Sequence, residues 1–146
     1  DDVKSALNGN LGFDVATIAT GTHKWVYCTK AITTSAAIFT AANDYFDGVA
    51  CHDDDIAKYV VIKHTGTSDG EAITKAGLMI GLDGTNDYNT ADNIFLEPGE
   101  MITLKLPFTT INNLKAVAVT ITNGKPTAAA GTVQLTAAAI LDDVAA

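Results

Sequence analysis

Apolar and polar residues alternate along much of this chain, and the alternation is short in period and often interrupted. Met101-Ile102-Thr103-Leu104-Lys105-Leu106 sets Met, Thr and Lys on one face and Ile, Leu and Leu on the other. Such a period of two predicts a half-buried strand with one wet side. Similar β-rich stretches occur at Phe13–Thr20, His23–Cys28, Ala57–His64, Ala76–Leu82, Asn93–Leu96, Leu114–Ile121 and Thr132–Leu141. Ala31–Thr40 reads as a further strand with a weak middle. Turn signals separate them: Gly21, Asp47-Gly48, Ser68-Asp69-Gly70, Asp83-Gly84, Pro98-Gly99 and Asn123-Gly124. Asp-Gly and Asn-Gly pairs supply the positive φ that tight hairpins need. Helical patterning is weak, with Asp2–Leu7 and Ala137–Ala145 its best candidates. Many short strands at close spacing predict an all-β fold, an antiparallel β-sandwich or jelly-roll-like domain of about eight to ten strands. With no linker or low-complexity tract, residues 1–146 read as one domain, residues 1–12 forming a possible N-terminal arm.

Composition narrows the function. Of 146 residues, 23 are Ala and 20 are Thr, and all nine cations are lysines, since there is no arginine. A formal charge of −8 repels phosphate backbones, and the missing arginine removes bidentate phosphate forks, so nucleic acid is not an expected partner. No apolar run reaches the length that crosses a bilayer as a helix, so a membrane is not expected either. The acidic start Asp1-Asp2-Val3-Lys4 lacks the basic-then-apolar order of a signal peptide, and its opening on Asp suggests residues upstream. Cys28 and Cys51 have no CxxC context and read as buried free thiols, with a single disulfide as the alternative.

Candidate chemistry is sparse. His52-Asp53-Asp54-Asp55 is the densest polar cluster, but adjacent residues on an extended chain point apart, which favours a solvated acidic loop over a metal site. Asp83–Asp92 fails the EF-hand spacing, with Thr85 third, Tyr88 sixth and Ile94 twelfth, and reads as a surface loop. Glu97 and Glu100 bracket a turn, an exposed pair more than an acid–base pair. His23, His52 and His64 are the only histidines, and no GxSxG, HExxH, P-loop or GxGxxG accompanies them. His64, at the end of an apolar strand, reads as a hydrogen-bonded structural residue or rim contact. Trp25, Tyr27 and Tyr59 suit either a sugar-stacking platform or a sandwich core, and Trp25 reads as core. No catalytic, cofactor or metal residue is assigned, and no enzyme is expected.

The stretch Asp55-Ile56-Ala57-Lys58-Tyr59-Val60-Val61-Ile62-Lys63-His64-Thr65-Gly66-Thr67, then Asn93-Ile94-Phe95-Leu96-Glu97-Pro98-Gly99-Glu100 and Ala139-Ile140-Leu141-Asp142-Asp143-Val144, resembles small virion structural proteins of tailed bacteriophages, of the marine and cyanobacterial phage type. The likeness covers about two-thirds of the chain and consists of strand-and-turn grammar with no catalytic signature. It implies a β-sandwich displayed on a capsid or tail, with capsid decoration (cement) the expected subtype. The implied partners are the major capsid protein or other virion subunits and further copies of the chain, as a trimer or dimer, at the outer capsid surface. The Ala/Thr-rich segments Ala31–Ala42 and Thr127–Ala139 are the expected contact surfaces. An extracellular carbohydrate-binding module and a subunit of a bacterial surface filament are the alternatives.

Overall fold

A computed structural model describes residues 23–40, 51–85 and 93–142. Nine strands lie among them: β1 (His23–Ile32), β2 (Ala36–Ala37), β3 (Ile56–His64), β4 (Gly77–Gly81), β5 (Ile94–Leu96), β6 (Met101–Thr110), β7 (Lys115–Thr122), β8 (Lys125–Ala129) and β9 (Val133–Asp142). They form two antiparallel sheets. Sheet A has the order β1-β9-β3-β6, and sheet B has the order β2-β7-β4-β5 with β8 also paired to β7. One 3-10 turn, Ile111–Asn113, links β6 to β7. The all-β antiparallel sandwich expected from the alternation is the observed fold.

The alternation explains the packing. In β6, Ile102, Leu104 and Leu106 face the core while Met101, Thr103 and Lys105 face outward, as the period of two requires. In β9, Val133, Leu135, Ala137, Ala139 and Leu141 enter the core and the intervening residues point away. Sheet B answers with Leu78, Ile80, Leu96, Ala116 and Ala118. On its far side, Met79, Val117 and Val119 form a second small buried cluster against Phe95. That far side admits no extra side chain at Gly77, where a Cβ would stand 2.6 Å from the Phe95 ring.

Three expectations are corrected. Ala31–Thr40 is not one strand: β1 ends at Ile32, Thr33–Ser35 bend in solvent, and β2 is only Ala36–Ala37. Three consecutive exposed hydroxyl residues leave that middle nothing to bury. Ala137–Asp142, the described part of the C-terminal helical candidate, is strand, because its neighbours β1 and β3 pair with it on both edges and override alanine's helix preference. The strand β8 has no counterpart in the expected pattern; it is exposed along most of its length and carries no apolar alternation. Phe13–Thr20 and Asp2–Leu7 lie outside the described residues. Among the described residues no helix is long and apolar enough to cross a membrane.

Candidate functional site

The polar candidates resolve into structural work. Asp55 is buried, contrary to its expected place in a solvated loop. Its Oδ2 accepts the His52 backbone N–H at 2.8 Å and its own carbonyl accepts the Ile111 N–H at 2.9 Å. Asp53 contributes a carbonyl to the Asn112 N–H, so the loop before β3 is fastened to the 3-10 turn through backbone groups. His52, Asp53 and Asp54 remain exposed.

His64, at the other end of β3, is fully buried. Nε2 lies 2.8 Å from the Ala76 carbonyl, and Nδ1 accepts the Gly66 N–H at 3.0 Å. Because a carbonyl only accepts and an N–H only donates, this pair fixes the neutral ring with its proton on Nε2. Burial pushes the imidazole pKa below 6.5, against the opposing pull of the Ala76 carbonyl and the Glu100 charge. His64 is the hydrogen-bonded strand-end residue that its sequence position suggests. His52 lies in the turn before β3 and His64 ends that strand, so the two sit at opposite ends of an element about 26 Å long at the usual strand rise. They cannot serve one reaction centre.

The turn carboxylates are likewise occupied. Glu100 returns to accept the Glu97 N–H at 2.8 Å, closing the turn whose Gly99 sits at φ 88°. Asp69 accepts the Glu71 and Ala72 N–H groups, which hold its carboxyl below the usual range. Asp83 accepts both the hydroxyl and the N–H of Thr85, with the same consequence. The rest of that loop, residues 86–92, lies outside the described residues. Gly84 adopts φ 86°, and an added Cβ would meet Asn113 Oδ1 at 2.7 Å. We expect Gly84→Ala to cost about 1–3 kcal/mol through left-handed backbone strain and that collision, read as a lower denaturant midpoint at unchanged slope. An unchanged midpoint would show that the loop shifts freely.

Among the described residues no group of three or more His, Cys, Asp or Glu converges as a metal site. Cys28 and Cys51 are both buried, and Cys28 Sγ donates to the Ile38 carbonyl at 3.3 Å. A shallow depression of about 280 Å³ lies between Thr74–Ala76 and Thr120, Ile121 and Ala130, with Lys75 its one ionisable side chain.

The surface that stands out is the outer face of sheet A. Trp25 is 51% exposed and Tyr27 49% exposed, which corrects the core assignment of Trp25. On β1 the even positions Val26, Cys28 and Ile32 enter the core, so the odd positions must face out. The registers align three rows across the sheet. The first is Trp25, Ile140, Tyr59 and Lys105; the second is Tyr27, Ala138, Val61 and Thr103; the third is Thr29, Thr136, Lys63 and Met101. Ile140 is buried although it points outward, flanked by Trp25 and Tyr59. Met101 is 61% exposed. Beyond the bulge between Ala57 and Tyr59, Lys58 pairs with Asp142 at 3.8 Å and lies over the exposed Phe108 ring. The three aromatics that the sequence singled out therefore share one face. Two-step spacing on β1 relates Trp25 to Tyr27, but only the long-range register of β9 and β3 brings in Tyr59.

Together these features define a class: an antiparallel β-sandwich with its core between two sheets and with Trp25, Tyr27 and Met101 of sheet A turned toward solvent. No protein-family model and no curated protein matches the sequence. Among solved structures the chain is similar to the coat protein of Tobacco streak virus, at 11% identity and TM-score 0.42 over 88% of this chain and 91% of that one. It is also similar to a protein of Bacillus endospore appendages, a family of disulfide-linked pili, at 15% identity and TM-score 0.37 over 94% and 100%. Likeness at that level is a matter of outline alone.

Proposed function

We propose that the chain is a non-enzymatic structural component of a phage virion, a decoration protein that binds the outer capsid surface and stabilises subunit junctions. The observation that carries the assembly reading is the outer face of sheet A. That face exposes the large apolar side chains Trp25, Tyr27 and Met101 among lysines and threonines, and exposed aromatic groups gathered on one face mark contacts with other macromolecules. The virion setting follows from the resemblance of the strand-and-turn segments around Asp55–Thr67 and Asn93–Glu100. The polar groups described above are spent on turns and strand ends, which suits a protein with no reaction to perform.

The physics of decoration is mass action. A subunit that binds the assembled shell, and not its separated parts, shifts the equilibrium toward the shell. Partners in this reading are the major capsid protein or other virion subunits, and further copies of the chain. Thr127–Ala129 of β8, with Ala130 just after it, is exposed and built from small side chains, which lets another backbone approach closely and favours strand addition. Among the described residues of the other expected contact segment, Ile38 and Phe39 are fully buried, while Ala31 and Thr33–Ser35 are exposed.

Purified particles test the reading. The chain should appear by mass spectrometry at a fixed ratio to the shell subunit and sediment with the heads. Its absence from particles would end the virion reading. A carbohydrate-binding module is the second reading, favoured by Trp25, Tyr27 and Tyr59 on one face. It requires glycan binding that Trp25→Ala abolishes.

A further inference from the structure

The outer face of sheet A is laterally polarised, and that polarity makes it complementary to itself. Among the described strands its β1 side is aromatic, with Trp25 and Tyr27, while its β6 side carries Lys105, Thr103 and Met101. Between them β9 and β3 present the half-buried Ala138, Tyr59 and Val61, with Ile140 already buried beneath Trp25 and Tyr59. We infer that two copies of this chain pack sheet A against sheet A about a two-fold axis that lies in the interface, parallel to the strands and between β9 and β3. Such an axis preserves position along the strands and exchanges the sheet edges. β1 then covers the partner's β6, and β9 covers the partner's β3.

Each row meets a suitable counterpart. Trp25 lies over the partner's Lys105, the cation-over-indole arrangement that gives the most favourable aromatic–cation contact. The partner's Tyr59 closes over the already buried Ile140, and Ala138 meets the partner's Val61. Thr29 faces the partner's Met101. Two-fold symmetry makes every contact twice, as an isologous interface must. The alternative in-plane axis, running across the strands, stacks β6 on β6 and sets Lys105 over the partner's methionine and Trp25 over the partner's threonine. It wastes both edges. Aligned packing of two sheets is also the geometry in which twisted faces fit.

The area is sufficient. Four strands of up to ten residues, at the usual rise and spacing, present about 600 Å² per copy before side-chain relief is counted. Two copies bury about 1,200 Å², the lower end of stable interfaces. Charge also permits it: among the described side chains of this face, Lys63 and Lys105 are the cations beyond the Lys58–Asp142 pair, and the two-fold sets neither against itself.

The inference rests on the assembly reading for its place in the particle, yet purified chain alone tests it. Light scattering and sedimentation should give twice 15.2 kDa at micromolar concentration, falling to 15.2 kDa on dilution. Trp25 is the only tryptophan, so its emission should shift to the blue as the dimer forms. W25K should weaken association at least tenfold by setting lysine over lysine, and adding K105W in the same chain should restore it. Both sites are exposed, and K125E on β8 serves as the control that stays dimeric. A monomer at every concentration up to millimolar overturns the inference, as does a trimer, an open-ended mass increase, or a W25K/K105W chain no better than W25K. A dimer absent from particles ends only the decoration reading; a monomer present in particles ends only this one.

Discussion

Phe39→Ala should lower stability by about 3–5 kcal/mol, the range for deleting a buried phenylalanine side chain. Phe39 is 1% exposed and heads the largest fully buried side chains, yet it lies outside every strand, just after the two-residue β2. The neighbouring Ile38 N–H donates to the Leu114 carbonyl at 3.0 Å, so the backbone there is tied to the start of β7 and cannot follow the shrinking side chain. A cavity should therefore persist, and the cavity term adds to the lost transfer energy. Small domains hold only about 5–15 kcal/mol in total, so the loss is a large fraction of it. For a chain of this size the melting temperature should fall by roughly 10 °C or more. A fall of one or two degrees would mean that Phe39 sits at a surface, as the contact-segment expectation for Ala31–Ala42 had it.

His64→Leu should be the second severe change, and it carries a pH signature. The leucine leaves the half-buried Ala76 carbonyl and Gly66 N–H without their ring partners, at up to about 1–3 kcal/mol for each, less where water reaches them. In the wild-type chain the buried imidazole has its pKa lowered, chiefly by desolvation. The unfolded chain then binds a proton near pH 6.5, while the folded chain binds it only at lower pH. More protons on the unfolded state means that stability rises with pH across that window. The contribution of the neutral ring is complete above pH 6.5 and is lost as pH falls toward the folded-state value. Comparing melting at pH 7.5 and pH 5.5 should show a drop for the wild-type chain and a smaller one for His64→Leu. An equal drop in both chains would assign the acid sensitivity elsewhere. Asp69 and Asp83 titrate below this range in the folded state and leave the comparison clean.

The strand pattern was legible where one face is buried and the other wet. Met101–Leu106 shows this best, with Met101 and Lys105 exposed, Leu106 buried, and Ile102 and Leu104 packed on the core. Legibility failed where local composition and long-range pairing disagree. Lys125–Ala129 becomes β8 only because β7 offers it a hairpin partner across Asn123-Gly124, both at positive φ. Its exposed, small side chains carry no pattern of their own. Trp25 was misplaced for a related reason. Trp25-Val26-Tyr27-Cys28 has apolar residues on both faces, so alternation cannot say which face is the core. Burial of Val26 and Cys28 decides it, and that depends on β9, more than a hundred residues later. Asp55 looked like one of three equivalent loop carboxylates. Its burial arises from the turn at Ile111–Asn113, which no spacing near residue 55 announces.

The place of β9 has a consequence for how the chain is made. It is the strand between β1 and β3, and the pairing of His23 with Asp142 closes a loop across most of the sequence. During synthesis β1, β3 and β6 leave the ribosome before the strand that must join β1 to the rest exists. Sheet A can close only after residues 133–142 have emerged, and such distant pairing is slow, on the order of milliseconds to seconds. Through that interval the unpaired edges of β1 and β3 are open to other chains. A cell making this protein in quantity should show temperature-dependent losses to inclusion bodies, and slower synthesis should not relieve them.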